Sequence, residues 1–440
     1  MRKTVTEHQA TAANREILVK IFESGISQSK RVGVEMEHEL VRQGSGAPVP
    51  YAGEQGVEVL LESLKEAYKE VTPVHEDGTG GILGLARTGH TITLEPAAQF
   101  EISMRPYHRL ADVAAEYRDF RRTLDPALER IGAETPFLGY HPTAKVDDLA
   151  LIPKFRYRSM DRYFMGISHW GRSMMRGTAS LQVSVDYKHE DDAIAKMRAA
   201  SAIGPVLYLM LDNAPVFEGA WRPHHIMRAA CWQGCDPDRC NVVPGLFDEG
   251  FDFEAYADYV LATPPILVPD PSQEVGWRYT GSQPVNDIYA ERAMTPAEAT
   301  HVLSMLFPDV RLKEYLEIRH ADAVKPELAL AYVALIKGLL YSDTAIRDLS
   351  QMAESFDDAT VPAMKQAISE RGYEAVLLAG TPYEQTAAEL ADDLVARAER
   401  SLGDDEYELI FPLKELVADR RTPAQSWENP YEQGPHGAHL

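Results

Sequence analysis

Acidic and amide side chains recur at positions of equal parity in two segments that are rich in strand-forming residues. Successive side chains of a β-strand alternate between its two faces, so residues two or four apart share a face. Like charges that share a face repel each other, and a bound cation relieves that repulsion. Carboxylate oxygens suit Mg²⁺ or Mn²⁺, and those ions in turn suit nucleotide phosphates. The side chains concerned are Glu35, Glu37 and Glu39 in the first segment, and Glu95, Gln99 and Glu101 in the second.

Two further segments show the same alternation with mixed chemistry. Glu317 and Arg319 share one face of segment 315–319, whereas Gln182 and Ser184 alternate with apolar residues in segment 179–187. A sheet with one solvated face would give the same pattern, and this alternative stays open for any single strand. Solvated faces usually mix Lys, Thr and Ser with acids, however, and the first two segments offer mostly acids. The sequence therefore favours an acidic cavity over a solvated face.

The order of predicted elements indicates the fold class. Helical periodicity is present near residues 1–30, 57–68, 110–128 and 191–211 and dominates after about residue 295. Strands are predicted at 31–41, 90–104, 179–187, 226–232 and 315–319. These elements show no regular β-α-β alternation, which indicates an α+β protein with an antiparallel sheet. We expect residues 1–425 to form one catalytic domain, mainly helical from about 295, and 426–440 to form a loose tail.

The composition restricts the classes of partner. The 440 residues carry 44 Lys+Arg and 67 Asp+Glu, a formal net charge of −23, which disfavours nucleic acid and anionic membranes. The polar N-terminus and the three cysteines are typical of a cytoplasmic protein without a signal peptide. Cys231, Cys235 and Cys240 form no Cys-x-x-Cys pair, so we expect no structural zinc. Whether these thiols form a redox switch stays open.

Short motifs along nearly the whole chain appear in a familiar order. The chain resembles the glutamate–cysteine ligases of the plant and proteobacterial type. It is also similar, around Met174-Met175 and Thr178-Ala-Ser, to the ergothioneine-pathway branch of that family. The matching segments are 33–37, 92–103, 153–157, 174–183, 228–232, 236–239, 306–319 and 421–424.

The resemblance implies a glutamine-synthetase-like fold, in which a curved antiparallel sheet forms a funnel with helices packed outside. It implies that ATP phosphorylates the γ-carboxylate of L-glutamate and that the amine of L-cysteine attacks the acyl phosphate. The products would be γ-glutamylcysteine, ADP and phosphate, in the biosynthesis of glutathione. Phosphoryl transfer between anions needs divalent metal, Mg²⁺ or possibly Mn²⁺. We expect a monomer or homodimer.

The resemblance also assigns roles to residues of the predicted cavity. Arg319 would brace the transferring phosphoryl group, because it lies two residues from Glu317 on the same face. The assigned metal ligands are Glu35, Glu37, Glu95, Glu101 and Glu317; the nucleotide contacts are Gln182, Arg311 and Arg319; and the amino-acid contacts are Arg156, Arg228, Trp232 and Met175. For Arg156 and Arg228 a surface or buried ion pair is the alternative, and for Trp232 a place in the core.

The sequence departs from the family pattern at three places. Gly177 stands where the family has arginine, Ala97-Ala98 where it has two glycines, and His320 where it has glycine. The first two departures bear on the amine acceptor rather than on the reaction. Two other functions therefore stay open: a ligase of the same mechanism with a different amine acceptor, and a non-catalytic nucleotide- or metabolite-binding relative.

Overall fold

The computed structural model describes residues 2–75 and 80–431, and its largest element is an antiparallel sheet of eight strands. In chain order the strands are β1 (Val32–His38), β2 (Thr72–His75), β3 (Ile82–Ala86), β4 (His90–Leu94), β5 (Phe100–Tyr107), β6 (Ser180–Val185), β7 (Val310–Leu312) and β8 (Leu316–Asp322). Their spatial order is β7-β8-β6-β1-β5-β4-β3-β2. The four acid- or amide-bearing segments of the sequence thus meet in neighbouring central strands.

Helices surround this sheet. They are α1 (Arg2–Ser24), α2 (Val57–Ala67), α3 (Leu110–Arg130), α4 (Phe155–Met165), α5 (Trp170–Gly177), α6 (Glu190–Met210), α7 (Met227–Gln233), α8 (Phe253–Ala262), α9 (Val285–Ile288), α10 (Pro296–Leu303), α11 (Pro326–Leu340), α12 (Asp343–Ala353), α13 (Thr360–Arg371), α14 (Ala387–Ser401) and α15 (Phe411–Ala418). Short 3-10 helices occupy Val146–Asp148, Gly372–Glu374, Tyr407–Ile410 and Pro423–Ser426. Two-residue strands pair at Val41–Arg42 with Ala133–Glu134, Val216–Phe217 with Ala220–Trp221, Cys240–Asn241 with Phe307–Pro308, and Val376–Leu377 with Gln385–Thr386; a longer hairpin joins Ile266–Pro269 to Trp277–Gly281.

Strand β1 shows how the two faces of the sheet differ. Val34 and Met36 are buried, whereas the alternating Glu35 and Glu37 are half-buried. Helices α3 and α11 pack against the apolar side, together with α2 and α6 further along the sheet. Burying this side stabilises the sheet by roughly 1.5–3 kcal/mol for each large apolar side chain. The opposite side, called here the polar face, is left for the charged residues.

The predicted α+β class with a large antiparallel sheet is confirmed, but two predicted strands were wrong in detail. Segment 226–232 lies in helix α7 from Met227 onward, because Ala229 and Ala230 favour helix; the left-handed Ile226 (φ 50°) precedes the first helical residue. Segment 90–104 is a hairpin of two strands rather than one, with a turn at 95–99.

The described part of the predicted tail, residues 426–431, contacts earlier parts of the chain. The rings of Trp427 and Trp221 lie 5.8 Å apart, and Tyr431 Oη donates to Glu134 Oε1 at 3.0 Å. Residues 432–440 lie outside the described residues.

The helices of the described residues were compared with the length and hydropathy of membrane-spanning helices. Taken singly, none of their helices has the length and apolar character needed to cross a membrane; α11 and α12 meet this test only as a pair, bent by 81°.

Candidate active site

Four carboxylates gather on the polar face, and we call Glu35, Glu37, Glu95 and Glu101 the acidic group. Glu37 on β1 stands directly opposite Glu101 on β5, and Glu35 stands opposite Gln182 on β6. Glu95 follows the last residue of β4 and begins the turn to β5. The antiparallel register therefore brings together four of the five acids that the sequence proposed as metal ligands.

Three carboxylates of the acidic group, those of Glu35, Glu95 and Glu101, have raised pKa values, with burial as the largest cause and neighbouring acids as the next. Burial, followed by the charge of Glu37, raises the pKa of Glu95 to about 7. Burial and then Glu35 raise the pKa of Glu101 well above its usual range, and burial and Glu317 raise that of Glu35. Negative charge at this place is therefore incompletely balanced by the protein, as expected of a site that receives cations.

The described residues contain no ready-made cage of three or more acidic, histidine or cysteine ligands. The donor set nevertheless fits a hard divalent ion, because it consists of carboxylate oxygens, and the pKa values of Glu35, Glu95 and Glu101 are raised. Two of these carboxylates are held by neighbours: Thr93 Oγ1 donates to Glu101 at 2.5 Å, and the Ser180 amide donates to Glu37 at 2.7 Å. The sequence analysis missed both residues, although Thr93 shares the parity of Glu95 and so could have been found.

Glu317 is set apart from the acidic group by three cations. Its carboxylate pairs with Arg311 at 2.6 Å, Arg319 at 2.8 Å and Lys313 at 3.0 Å. Burial alone would raise the pKa of Glu317, but Arg311, Lys313 and Arg319 hold it well below its usual range. These three cations with Glu317 are called here the basic group. Lys313 was missed by the sequence analysis, because its approach depends on the tight β7–β8 hairpin.

Gln182 connects the two groups. Its Oε1 accepts a hydrogen bond from Arg319, and its Nε2 donates to Glu37 Oε1 at 3.2 Å. One amide thus fixes the distance between a cation of the basic group and a carboxylate of the acidic group. The polar face therefore offers a cation-binding half beside an anion-binding half, which is the arrangement that a metal–polyphosphate complex requires.

Arg228 is a buried guanidinium on α7 for which the described residues supply no carboxylate partner. Its Nε donates to the Arg319 carbonyl at 3.4 Å, its Nη1 has no partner in the described parts of the chain, and only 3% of the residue is exposed. The guanidinium carbons of Arg228 and Arg319 each lie 5.4 Å from the Trp232 ring centre. The Trp232 ring therefore packs against both guanidinium groups. Arg228 has a nitrogen available to bind an anion.

The other two predicted substrate residues lie on α4 and α5. Arg156 donates to the Ser304 hydroxyl at 2.9 Å and to the Ser304 carbonyl at 2.8 Å, and burial lowers its pKa. Met175 is buried, and its carbonyl accepts from Gln99 Nε2 at 3.3 Å. Arg156 is thus engaged by the protein through both terminal guanidinium nitrogens, whereas Arg228 donates only through Nε among the described contacts.

Two polar residues of the sequence pattern take supporting positions. Glu39 lies beyond the end of β1, and burial raises its pKa well above the usual range. Gln99 Nε2 donates to the carbonyls of Met175 and Thr178, the latter at 3.1 Å. The turn between Glu95 and Gln99 places Ala98 at φ +70°, a conformation that favours glycine.

The presence of glycine at position 177 has a steric explanation. A Cβ atom on Gly177 would lie 2.3 Å from Cζ of Tyr140, so the Tyr140 ring fills the space of any larger side chain. The neighbouring Arg176 does not substitute for an arginine at 177, because it pairs with Asp161 at 2.5 Å and donates to the Leu149 carbonyl at 3.0 Å. This departure from the family pattern thus changes the shape and charge of the surroundings of α5.

A cavity of about 490 Å³ opens beside the Glu35 end of the polar face. Its lining includes Gly33, Glu35, Ser184, Asp186 and Tyr315. The absence of a side chain at Gly33 leaves space in the cavity, because a Cβ atom there would lie 3.3 Å from Ser184 Cβ. The cavity has the size of a small-molecule site and is continuous with the polar face at Glu35.

Comparison with known proteins identifies the family. The model of glutamate–cysteine ligase family 2 matches residues 31–438. The chain belongs to this family. This family member is 26% identical over 430 residues to chloroplastic glutamate–cysteine ligase B of Oryza sativa subsp. japonica, covering 95% of this chain and 84% of that protein. It is 28% identical over 421 residues to the chloroplastic glutamate–cysteine ligase of Arabidopsis thaliana, covering 93% and 78%.

A solved structure supports the fold. The family-2 chain superposes on the glutamate–cysteine ligase of Francisella tularensis in complex with AMP with a TM-score of 0.56 and 12% identity. The match covers 91% of this chain and 84% of that one. The resemblance stated from the motifs is therefore confirmed at the level of the family, and the chain shares the fold of the Francisella tularensis ligase.

Proposed function

We propose that this protein is an ATP-dependent glutamate–cysteine ligase that forms γ-glutamylcysteine, ADP and phosphate through a γ-glutamyl phosphate. The observation that carries the proposal is the contact of the acidic group with the basic group through Gln182. Joining two anions, ATP and glutamate, requires their negative charges to be balanced on both sides of the transferring phosphoryl group. Membership of the family supports this assignment.

In this proposal Glu35, Glu37, Glu95 and Glu101 would hold Mg²⁺. When bound, the metal would neutralise phosphate charge during transfer. Arg319 braces the phosphoryl group and Arg311 the neighbouring phosphates, and Glu317 orders these cations through the ion pairs already formed. The cavity beside Glu35 would receive the rest of the nucleotide.

The amino-acid substrates are assigned to the side of the polar face next to α7 and α5. Arg228 has a free Nη1 within the described residues and would bind a carboxylate of glutamate, while Trp232 closes the pocket behind it. Met175 would contact the acceptor. Arg156, with two hydrogen bonds to Ser304, is the second arginine in reach of a substrate carboxylate.

A second candidate function is the same ligation with another amine as acceptor. It is favoured by Gly177 and the Tyr140 ring that occupies the space beside it, where the family pattern has arginine. The activated acyl group reacts with any well-placed amine, so the pocket alone decides the acceptor.

The test is a panel of amines with L-glutamate and Mg·ATP, read by phosphate release and product mass. We expect L-cysteine to give the highest turnover and 2-aminobutyrate a rate about 10–200-fold lower, since the pocket must distinguish near-isosteres. A larger or charged amine as the best acceptor would replace cysteine in the proposal. Nucleotide binding without phosphate release from any pair would support a non-catalytic relative.

A second prediction concerns Arg228 and the pocket for glutamate, which donates the acyl group. Arg228→Ala should lower kcat/KM for glutamate by an equivalent of about 2–4 kcal/mol, because a buried substrate carboxylate loses its charged partner. The loss should appear when glutamate is varied and be small when ATP is varied. An equal loss with ATP would assign Arg228 to the phosphates instead.

A further inference from the structure

Asp322 is a buried carboxylate with no role in the proposal so far. It ends strand β8 directly opposite Ser180 of β6, and Ser180 Oγ accepts a hydrogen bond from Gln182 Nε2 at 3.3 Å. Directly paired residues point to the same side of a sheet, so Asp322 belongs to the polar face. Only 2% of the residue is exposed to solvent.

The two carboxylate oxygens of Asp322 differ. Oδ2 accepts from the Asn213 amide at 2.7 Å, whereas Oδ1 is buried and has no partner in the described parts of the chain. Burial and then the charge of Asp212 raise the pKa of Asp322 to about 7, against the opposing effect of Arg228. One oxygen thus fixes the side chain in place and the other is left for a ligand.

Arg228 presents the opposite charge beside this residue. Its Nε donates to the backbone carbonyl of Arg319, three residues before Asp322 on the same strand, and its Nη1 is buried without a partner in the described residues. Neither Nη1 of Arg228 nor Oδ1 of Asp322 therefore has a hydrogen-bond partner within the described parts of the chain. A buried carboxylate oxygen and a buried guanidinium nitrogen, both unsatisfied, are costly unless a ligand satisfies both.

An α-amino acid carries the complementary pair of charges on a single carbon. We propose that Asp322 binds the α-ammonium group of glutamate while Arg228 binds its α-carboxylate. This inference rests on the proposed function and adds to it the group that distinguishes an α-amino acid from a plain dicarboxylic acid. We call Asp322 and Arg228 the clamp. With both charged groups of its α-carbon bound there, glutamate would extend its γ-carboxylate toward Arg319 and the acidic group.

The experiment compares L-glutamate with glutarate, which has both carboxylates but no α-amino group. Activity is measured as ADP release with saturating Mg·ATP and cysteine, for the wild type and for Asp322→Asn. Asparagine keeps an oxygen for Asn213, so the variant changes little except the charge of the free oxygen. We expect the wild type to prefer glutamate by at least about 100-fold, and the variant to lower kcat/KM for glutamate by about 100-fold with glutarate changed by less than about 3-fold.

Glutarate turnover also serves as the control for correct folding of the variant. An equal loss for both substrates would overturn the inference and indicate a structural role. A loss confined to KM for cysteine would assign Asp322 to the acceptor. If Asp322→Asn does not fold, Asp322→Ser, which retains an acceptor for Asn213, takes its place.

Direct binding separates this inference from the proposed reaction. If no amine supports ADP release, the ligase proposal fails, but calorimetric titration with L-glutamate and with glutarate still tests the clamp. Selective weakening of L-glutamate binding by about 100-fold in Asp322→Asn would support it. Equal affinity of the wild type for the two compounds would overturn it.

Discussion

Glu101 and Glu317 are two buried carboxylates of one sheet face with opposite electrostatic surroundings. Glu101 faces other acids, and burial and Glu35 raise its pKa. Glu317 faces Arg311, Lys313 and Arg319, which lower its pKa against the effect of burial. The parity rule identified both residues from the sequence, because a strand places alternate side chains on one face. It could not separate their roles, since the neighbours of Glu317 depend on the β7–β8 hairpin.

Neutral substitution should therefore act on the two residues in opposite directions. In metal-free protein, Glu101→Gln should leave the free energy of unfolding unchanged or raise it, because repulsion within the acidic group falls. Glu317→Gln should lower it by about 2–4 kcal/mol, because three cations lose their shared anion. Denaturant unfolding of both variants at pH 8 measures this difference. A Glu317→Gln protein as stable as the wild type would contradict the assigned ion pairs.

Asp322 should leave a signature in the pH dependence of stability. Its folded-state pKa of about 7 exceeds the ordinary value of about 3.9, so the stability that it contributes is greatest below about pH 4. That contribution is lost as the pH rises through 7. Replacing the residue by asparagine removes this dependence.

The measurement is the unfolding free energy of Asp322→Asn minus that of the wild type, at pH 5 and pH 8.5. The difference should become more favourable to the variant at the higher pH, by on the order of 2 kcal/mol. The subtraction cancels the titration of all other groups. A difference that does not change with pH would show that Asp322 stays ionised throughout.

At the scale of elements, the position of Arg319 depends on contacts behind the sheet. The Arg319 amide donates to the Asp309 carbonyl at 3.1 Å, and the Asp309 carboxylate pairs with Lys365 of α13 at 2.6 Å. Tyr208 on α6 donates to the other oxygen of Asp309 at 2.9 Å. Sequence patterns locate strands and helices, but such contacts join residues far apart in the chain. The same limit explains helix α7, whose apolar run alone does not distinguish a helix from a strand.

The buried Asp309–Lys365 pair gives an element-scale prediction. Lys365→Met should destabilise the protein by about 3–5 kcal/mol, because Asp309 would remain buried without its cation. The double variant with Asp309→Asn should regain part of that loss. Lys414→Met is the matched control, since Lys414 pairs with Glu399 at the surface and should change stability by less than about 0.5 kcal/mol. Urea unfolding of the four proteins tests this; equal effects of Lys365→Met and Lys414→Met would be the contrary result.

At the scale of the whole molecule, the net charge of −23 is concentrated further by the acidic group. In a protein with this excess of negative charge, any dissolved cation stabilises the fold by screening the repulsion between carboxylates. A cation that binds specifically to the folded state stabilises it further. From strand parity the sequence predicted that a cation binds among these acids. It could not predict which acids are already neutralised by cations of the protein. Glu317 pairs with three cations, whereas burial and Glu317 raise the pKa of Glu35.

Divalent metal should therefore stabilise the folded protein through the acidic group. Adding Mg²⁺ to chelator-treated protein at about 100 times its dissociation constant should raise the free energy of unfolding by about 2.7 kcal/mol, seen as a higher melting temperature. NaCl at equal ionic strength controls for screening. In Glu101→Gln the Mg²⁺ effect should shrink toward the NaCl effect. Equal responses of wild type and variant to Mg²⁺ would place the metal elsewhere.

The side chain of Gln99 links two regions that the chemistry treats as separate. It closes the turn that carries Glu95 and also holds the carbonyls of Met175 and Thr178, at the end of α5. A shift of the hairpin would therefore change the hydrogen bonds that Gln99 makes at the end of α5. In the proposed site, a displacement of Glu95 by a bound metal would reach the end of α5 through Gln99. On this proposal we expect the identity of the metal to influence the choice of amine acceptor through this one short turn.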